Sequence, residues 1–102
     1  MSRSAAPQFE RALRAAADRA DCPITLPSSS STHWASATFV GERHMFTLTG
    51  SAGPAFDAWI DGLPEAEWAL CGHLVADLCV VARHRLEDQL GVDLEVLTVE
   101  DR

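Results

Sequence analysis

The stretch that decides the fold is residues 67–83, EWALCGHLVADLCVVAR, the longest apolar run in the chain. Apolar residues and one glycine occupy every even position from Trp68 to Ala82, and all four charged or imidazole side chains fall on odd positions. Alternation with a period of two is typical of a β-strand that buries one face. The stretch therefore predicts a strand, most clearly over residues 74–81.

The same residues also fit an α-helix. Leucine or alanine recurs every four residues from position 70 to position 82, Pro64 precedes the stretch, and Gly91 follows it as a C-terminal cap would. An unbroken strand of this length would span about 56 Å, whereas most strands have about 3–10 residues. A strand therefore needs a break, which Gly72 can provide. The pattern alone leaves both alternatives open.

Three segments carry a resemblance: ASATFVGERH at residues 35–44, GHLVADL at 72–78 and LEVLTVED at 94–101. Together they resemble a set of small uncharacterised bacterial proteins that share a hairpin, a central GHLVAD strand and a closing strand. The resemblance implies that residues 67–83 contain a strand. It implies nothing about chemistry.

The chain is acidic and short. Its 102 residues are expected to form one domain, residues 1–102, with flexible ends at 1–6 and 100–102. The net charge is −7, and the eight basic residues are arginines scattered along the chain, which argues against nucleic acids and anionic membranes as partners. Because no apolar run has the length of a membrane span or the form of a signal peptide, we expect a cytoplasmic protein.

Three cysteines, Cys22, Cys71 and Cys79, form no Cys-x-x-Cys pair. Cys71 and Cys79 would lie roughly 26 Å apart on an unbroken strand, or about 12 Å apart along a helix. A disulfide requires Cα atoms closer than about 7 Å. We therefore expect reduced thiols.

Two amphipathic helices are predicted, one beginning at Pro7 and the other at Pro54, because proline suits the first turn of a helix. The first should end by Asp21, since Pro23 disfavours helical geometry just before it. ITLP and the four serines after it, residues 24–31, are typical of a linker.

A hairpin is predicted from residues 34–40 and 44–49, with Gly41-Glu42 as a two-residue turn. Such a turn requires a positive φ at Gly41. This register places the larger apolar side chains of both strands on one face, whereas a three-residue turn would mix the faces.

The last elements are a polar loop or helical turn at residues 84–91 and a strand at 92–99. The order α-β-β-α-β-β predicts an α+β domain with a four-stranded antiparallel sheet and both helices on one face. The face under the helices is expected to carry Phe39, Phe46, Leu70, Leu74, Leu78 and Val96. The opposite face is expected to carry Trp34, Val40, Met45, Cys71, Val75, Cys79, Val81, Leu97 and Val99.

Few residues are candidates for a catalytic, metal-binding or ligand-binding site. A histidine beside an aspartate, with an arginine nearby, can transfer protons or hold an anion, and the candidates are His44, His73 and Asp77, with Arg43. Such a group is more often structural. A metal could use a cysteine and a histidine of the 67–83 strand, or the stripe that a helix would form from His73, Asp77, His84 and Asp88. Trp34 and Arg43 are the candidates for ligand contact.

No sequence motif names a reaction: the chain lacks a Gly-x-Ser-x-Gly elbow, a phosphate-binding glycine loop and His-Glu-x-x-His. We therefore predict a small cytoplasmic binding or assembly module without catalytic activity, a homodimer that associates through the uncovered face of the sheet. No cofactor or metal site is predicted. The alternative is a small enzyme or metal-binding protein that uses His44, His73, Asp77 and a cysteine.

Overall fold

A computed structural model describes residues 4–101 of the chain. The two α-helices and four strands found there follow the order α-β-β-α-β-β, which confirms the predicted α+β class. The elements are α1 (Ala6–Arg19), β1 (Thr25–Ala35), β2 (Val40–Ser51), α2 (Pro54–Gly62), a 3₁₀ helix (Leu63–Glu65), β3 (His73–Leu86) and β4 (Gln89–Glu100).

The four strands form one antiparallel sheet in the order β1-β2-β4-β3. Both hairpins therefore place their second strand at the centre, and β1 and β3 are the edges. The strand of residues 74–81 is confirmed within β3, but it lies at an edge of the sheet rather than at its centre. It also continues to Leu86, so the predicted loop at 84–91 shrinks to a turn at Glu87 and Asp88, with Glu87 at φ 57°.

Two bulges in β3 overturn the single parity predicted for residues 68–82. The register against β4 shifts between Val75 and Asp77, and again between Val80 and Ala82. Each extra residue moves the following side chains to the other face of the sheet. The period-2 pattern cannot reveal this, because the two extra residues, Ala76 and Val81, are themselves apolar.

The core shows the consequence of the first bulge. Leu78 is buried as predicted, but Leu74 is 55% exposed on the face away from the helices. Val75, predicted for that exposed face, packs against the core instead. Among the other predicted core residues, Phe46 and Val96 are buried and Leu70 packs at the margin.

The first hairpin has a different turn from the one predicted. Ala35 pairs with Val40 and Trp34 pairs with Gly41, so the loop consists of residues 36–39. Ser36 closes this loop, because its Oγ accepts hydrogen bonds from the N–H groups of Thr38 and Phe39 at 3.4 and 3.0 Å. Side-chain hydrogen bonds of this kind make serine a turn residue.

This loop changes several assignments around it. Gly41 lies inside β2 without a positive φ. Phe39, predicted for the core, is 55% exposed at the hairpin tip. The serines at 28–31, predicted as a linker, belong to β1, because pairing with β2 outweighs their low strand propensity. Val40, predicted for the uncovered face, lies on the helix side, because it shares a strand face with Glu42, whose side chain contacts the start of α1.

Both helices begin and end close to their predicted positions and cover one face of the sheet. α1 buries Phe9, Leu13 and Ala17, and α2 buries Phe56 and Ile60. The ring of Phe9 lies 5.3 Å from that of Phe46 and 4.9 Å from that of Trp68, measured between ring centroids. The core is therefore the layer between the helices and the two central strands.

Among residues 4–101, no helix is both long enough and apolar enough to cross a membrane. Cys22, Cys71 and Cys79 are free thiols. Of the ends predicted to be flexible, residues 1–3 and 102 lie outside the described part of the chain. Ala5 is buried beside the start of α1, and Glu100 ends β4.

Candidate functional site

The sheet separates the residues predicted to act together. His44 and His73 point to the helix side, where both are buried. Asp77 and Arg43 lie on the opposite face, since both pair with Leu97, whose side chain points away from the helices. Because β3 bulges between Val75 and Asp77, His73 and Asp77 do not share a face despite their common odd parity.

His44 is the most enclosed of the candidates. Its Nδ1 lies 2.6 Å from Oγ of Ser31 on β1, and its Nε2 lies 2.9 Å from Oγ1 of Thr98 on β4. The ring therefore connects three strands. Burial lowers the pKa of His44, His73 lowers it further, and Glu42 opposes these effects. A neutral ring with both nitrogens hydrogen-bonded is suited to a structural role.

A small polar cleft opens beside His44, at the start of α1. Its volume is about 20 Å³, which leaves room for about one water molecule. One of its walls is anchored by Glu42, whose Oε1 accepts a hydrogen bond from the Ala5 N–H at 2.9 Å. The lining comprises Ser4, His33, Gly41, Glu42, His73, Thr98 and Glu100.

The residues of this cleft do not form a metal centre. Within the described chain, no three histidine, cysteine, aspartate or glutamate side chains come together at a geometry that could hold a metal ion. The cleft is also too small for an organic substrate. Its arrangement is that of a hydrogen-bonded joint between the sheet and the first helix.

Asp77 forms its polar contact with Cys79 rather than with a histidine. The Cys79 thiol donates a hydrogen bond to Oδ2 of Asp77 at 3.4 Å. This hydrogen bond, together with the negative charge of Asp77, raises the pKa of the thiol. Because the thiolate is the reactive form, Cys79 is a poor nucleophile or metal ligand near neutral pH.

A second polar group lies on the same face of the sheet as Asp77 and was not predicted from the sequence. Asp93 accepts a hydrogen bond from Thr47 at 2.9 Å, and its other oxygen lies 3.0 Å from Nε2 of His84. The hydrogen bond to His84, followed by that to Thr47, lowers the pKa of Asp93. The sequence shows that Asp93 alternates with apolar residues in β4. Its hydrogen bonds with Thr47 and His84 depend on the order of the strands in the sheet.

The face away from the helices, the outer face, is left uncovered by the described residues. The half of this face that lies nearer the 36–39 loop carries exposed and half-buried apolar side chains from all four strands, here called the apolar patch. Cross-strand pairing aligns Trp34 with Gly41, Gly41 with Val99, and Val99 with Leu74 in one row. The patch consists of Trp34, Met45, Leu74, Cys79, Leu97 and Val99.

Gly41 makes this end of the patch possible. A Cβ at Gly41 would lie 2.9 Å from Cζ2 of Trp34, so the indole packs directly against the glycine. Charges of both signs lie among the members of the patch: Arg43 and Asp77 flank Leu97, and Glu95 lies between Met45 and Cys79. Thr47, His84 and Asp93 occupy the half of the face farther from the 36–39 loop. The outer face therefore combines exposed apolar side chains with charges of both signs and is left uncovered by residues 4–101.

Comparisons of the chain with protein-family models, curated proteins and solved structures found no match.

Proposed function

We propose that the protein is a small, non-catalytic assembly module of the bacterial cytoplasm that forms a homodimer through the outer face. The observation that carries this proposal is the apolar patch on that face. Met45 and Leu74 are 37% and 55% exposed there, on a sheet whose other face is covered by two helices. Exposed apolar side chains grouped on one face are typical of an interaction site.

The size of the face fits a dimer interface. Four strands spaced by about 4.8 Å, each about twelve residues long at about 3.3 Å per residue, give a face of about 750 Å². A stable interface of standard size buries about 800 Å² on each partner. Contact between two outer faces therefore accounts for a complete interface, whereas a small ligand would leave most of the patch exposed.

The charges around the patch favour a second copy over an unrelated partner. Arg43 lies two rows from Glu95 and in the same row as Asp77, so the surface carries both signs near its middle. A twofold axis through the patch would bring Arg43 of each copy toward the carboxylates of the other. Such self-complementarity is the requirement of a twofold interface, and it offsets the repulsion between two chains of charge −7.

The alternative of a small enzyme or metal-binding protein has less support. It requires His44, His73, Asp77 and a cysteine to meet, but the sheet lies between the two histidines and Asp77. The free thiols of Cys22, Cys71 and Cys79 fit the reducing cytoplasm. The described chain thus supports assembly better than catalysis.

Sedimentation equilibrium of the wild type and of Met45→Arg tests this proposal. Met45 lies on the outer face of β2, where an arginine in each copy would place a long, desolvated charge in the interface that Glu95 on the neighbouring strand compensates only in part. We expect Met45→Arg to have a lower mass than the wild type at micromolar concentration. The matched control is Ala15→Arg on the exposed side of α1, which should keep the wild-type mass. A wild type whose mass is unchanged by Met45→Arg would contradict the proposal.

A further inference from the structure

The two edge strands of the sheet, β1 and β3, differ in how readily another strand can pair with them. β1 pairs with β2 without interruption from Ser28 to Ala35. β3 is interrupted by two bulges and carries Asp77, Arg83 and Arg85. Bulges and charged side chains are the features by which proteins prevent edge strands from pairing, so β3 is protected.

β1 has none of these protections between residues 28 and 35. The segment SSSSTHWA contains no charged residue and no proline, and the side chains of residues 28–33 are exposed. Serine and threonine side chains are also small enough to allow close approach of a second backbone. An edge that is regular, uncharged and exposed is a template for strand addition.

The hairpin loop determines which backbone groups of β1 face outward. The N–H of Ser36 donates to the carbonyl of Phe39 at 2.8 Å, so this pair faces inward across the hairpin. Because hydrogen-bonded and non-hydrogen-bonded pairs alternate, the backbone groups of Ser30 and Thr32 point to β2. Those of the odd residues Ser29, Ser31 and His33 therefore point away from the sheet.

We propose that β1 pairs antiparallel with β1 of a second copy about a twofold axis, which joins two sheets into one of eight strands. The net charge of the chain and the closure of the assembly both favour a second copy as the partner. Two chains of charge −7 approach each other with least repulsion along a segment that has no charged side chain. Pairing of the two β1 strands also leaves only the protected β3 edges at the ends, so the assembly closes as a dimer.

This interface is separate from the outer-face interface and does not depend on it. Strand addition forms backbone hydrogen bonds along the edge of β1. The outer-face interface is formed by side chains of all four strands. Both interfaces together give a closed tetramer when their two twofold axes intersect at right angles. The Met45→Arg variant, which removes the outer-face contact, still forms the edge dimer.

Proline at Ser29 separates edge pairing from folding. The Ser29 N–H points away from β2, so Ser29→Pro removes no bond of the existing sheet but removes a donor from the free edge. Ser29→Ala is the matched control, because it changes the same exposed side chain and keeps the N–H. In the Met45→Arg background, we expect Ser29→Pro to be a monomer and Ser29→Ala a dimer, at equal thermal stability.

Amide hydrogen exchange tests edge pairing in the wild-type protein, without any substitution. The amides of Ser31 and His33 should become protected as the protein concentration rises, whereas those of Ser30 and Thr32 should be protected at every concentration. Free exchange at Ser31 and His33 up to millimolar concentration, together with equal masses for the Ser29→Pro and Ser29→Ala proteins, would overturn the proposal. That result would leave the edge to a different partner or to none.

Discussion

Nε2 of His44 lies 2.9 Å from Oγ1 of Thr98, a residue 54 positions later in the chain. The other ring nitrogen lies 2.6 Å from Oγ of Ser31. One buried imidazole therefore links an edge strand to both central strands. A side chain that the sequence suggests as a catalytic candidate is instead part of the structure that holds the sheet together.

We expect the protein to lose stability in mild acid because of His44. The pKa of His44 in the folded protein lies below its ordinary value of 6.5, so the unfolded chain binds the proton more strongly. The contribution of His44 is fully present above pH 6.5 and is lost as the pH falls through the folded-state pKa. Denaturant unfolding between about pH 8 and pH 5 measures this decrease.

His44→Leu is the control for this pH dependence. At neutral pH it should lower the free energy of unfolding by about 1–3 kcal/mol, because the hydroxyls of Ser31 and Thr98 lose their partner. Its stability should decrease less steeply than that of the wild type as the pH falls. Identical slopes for the two proteins would assign the acid sensitivity to other groups.

Substitution of Gly41 should destabilise the protein for a reason unrelated to turn geometry. A Cβ at this position would lie 2.0 Å from the carbonyl oxygen of Thr98, so the backbone of β2 or β4 must move. We expect Gly41→Ala to lower the free energy of unfolding by about 1–3 kcal/mol. Chemical denaturation measures the change.

Gly62→Ala provides the comparison for Gly41. Its backbone has φ −84°, and no atom lies within 4 Å of the added carbon. Alanine should therefore be neutral or stabilise the protein by about 0.4–1 kcal/mol, because it restricts the unfolded chain. Equal losses at both glycines would show that the close approach at Gly41 is absent.

Leu78 and Leu74 test the first bulge of β3. Leu78 is buried in the core, and Leu78→Ala should lower the free energy of unfolding by about 2–5 kcal/mol. Leu74→Ala, four residues earlier, should change it by about 0.5 kcal/mol or less under dilute, monomeric conditions. A regular strand would give both leucines the same orientation, so two large losses would exclude the bulge.

Cys79 should react slowly with alkylating reagents. The pKa of its thiol is raised by the hydrogen bond to Asp77 and by the charge of that carboxylate, so little thiolate forms near neutral pH. Asp77→Asn removes the charge at nearly constant size. The variant should react with iodoacetamide several-fold faster at Cys79, as peptide mass spectrometry can measure. An unchanged rate would show that Asp77 does not control the thiol.

The helices could be predicted from the chain alone because their signals are local. Proline in the first turn, apolar residues at helical spacing and a stop before Pro23 all lie within one segment. The order of elements and the strand at 74–81 were predictable for the same reason. His44 and His73 could be selected as candidates by residue type.

The faces, the turn and the partners of these residues required the folded chain. The first bulge of β3 moves His73 and Asp77 to opposite faces, and it arises from pairing with β4, whose residues a local pattern does not include. β1 is a strand because β2 lies beside it, although its serines suggest a linker. Strand pairing joins residues far apart in sequence, so its register and the surface it leaves open are properties of the tertiary structure.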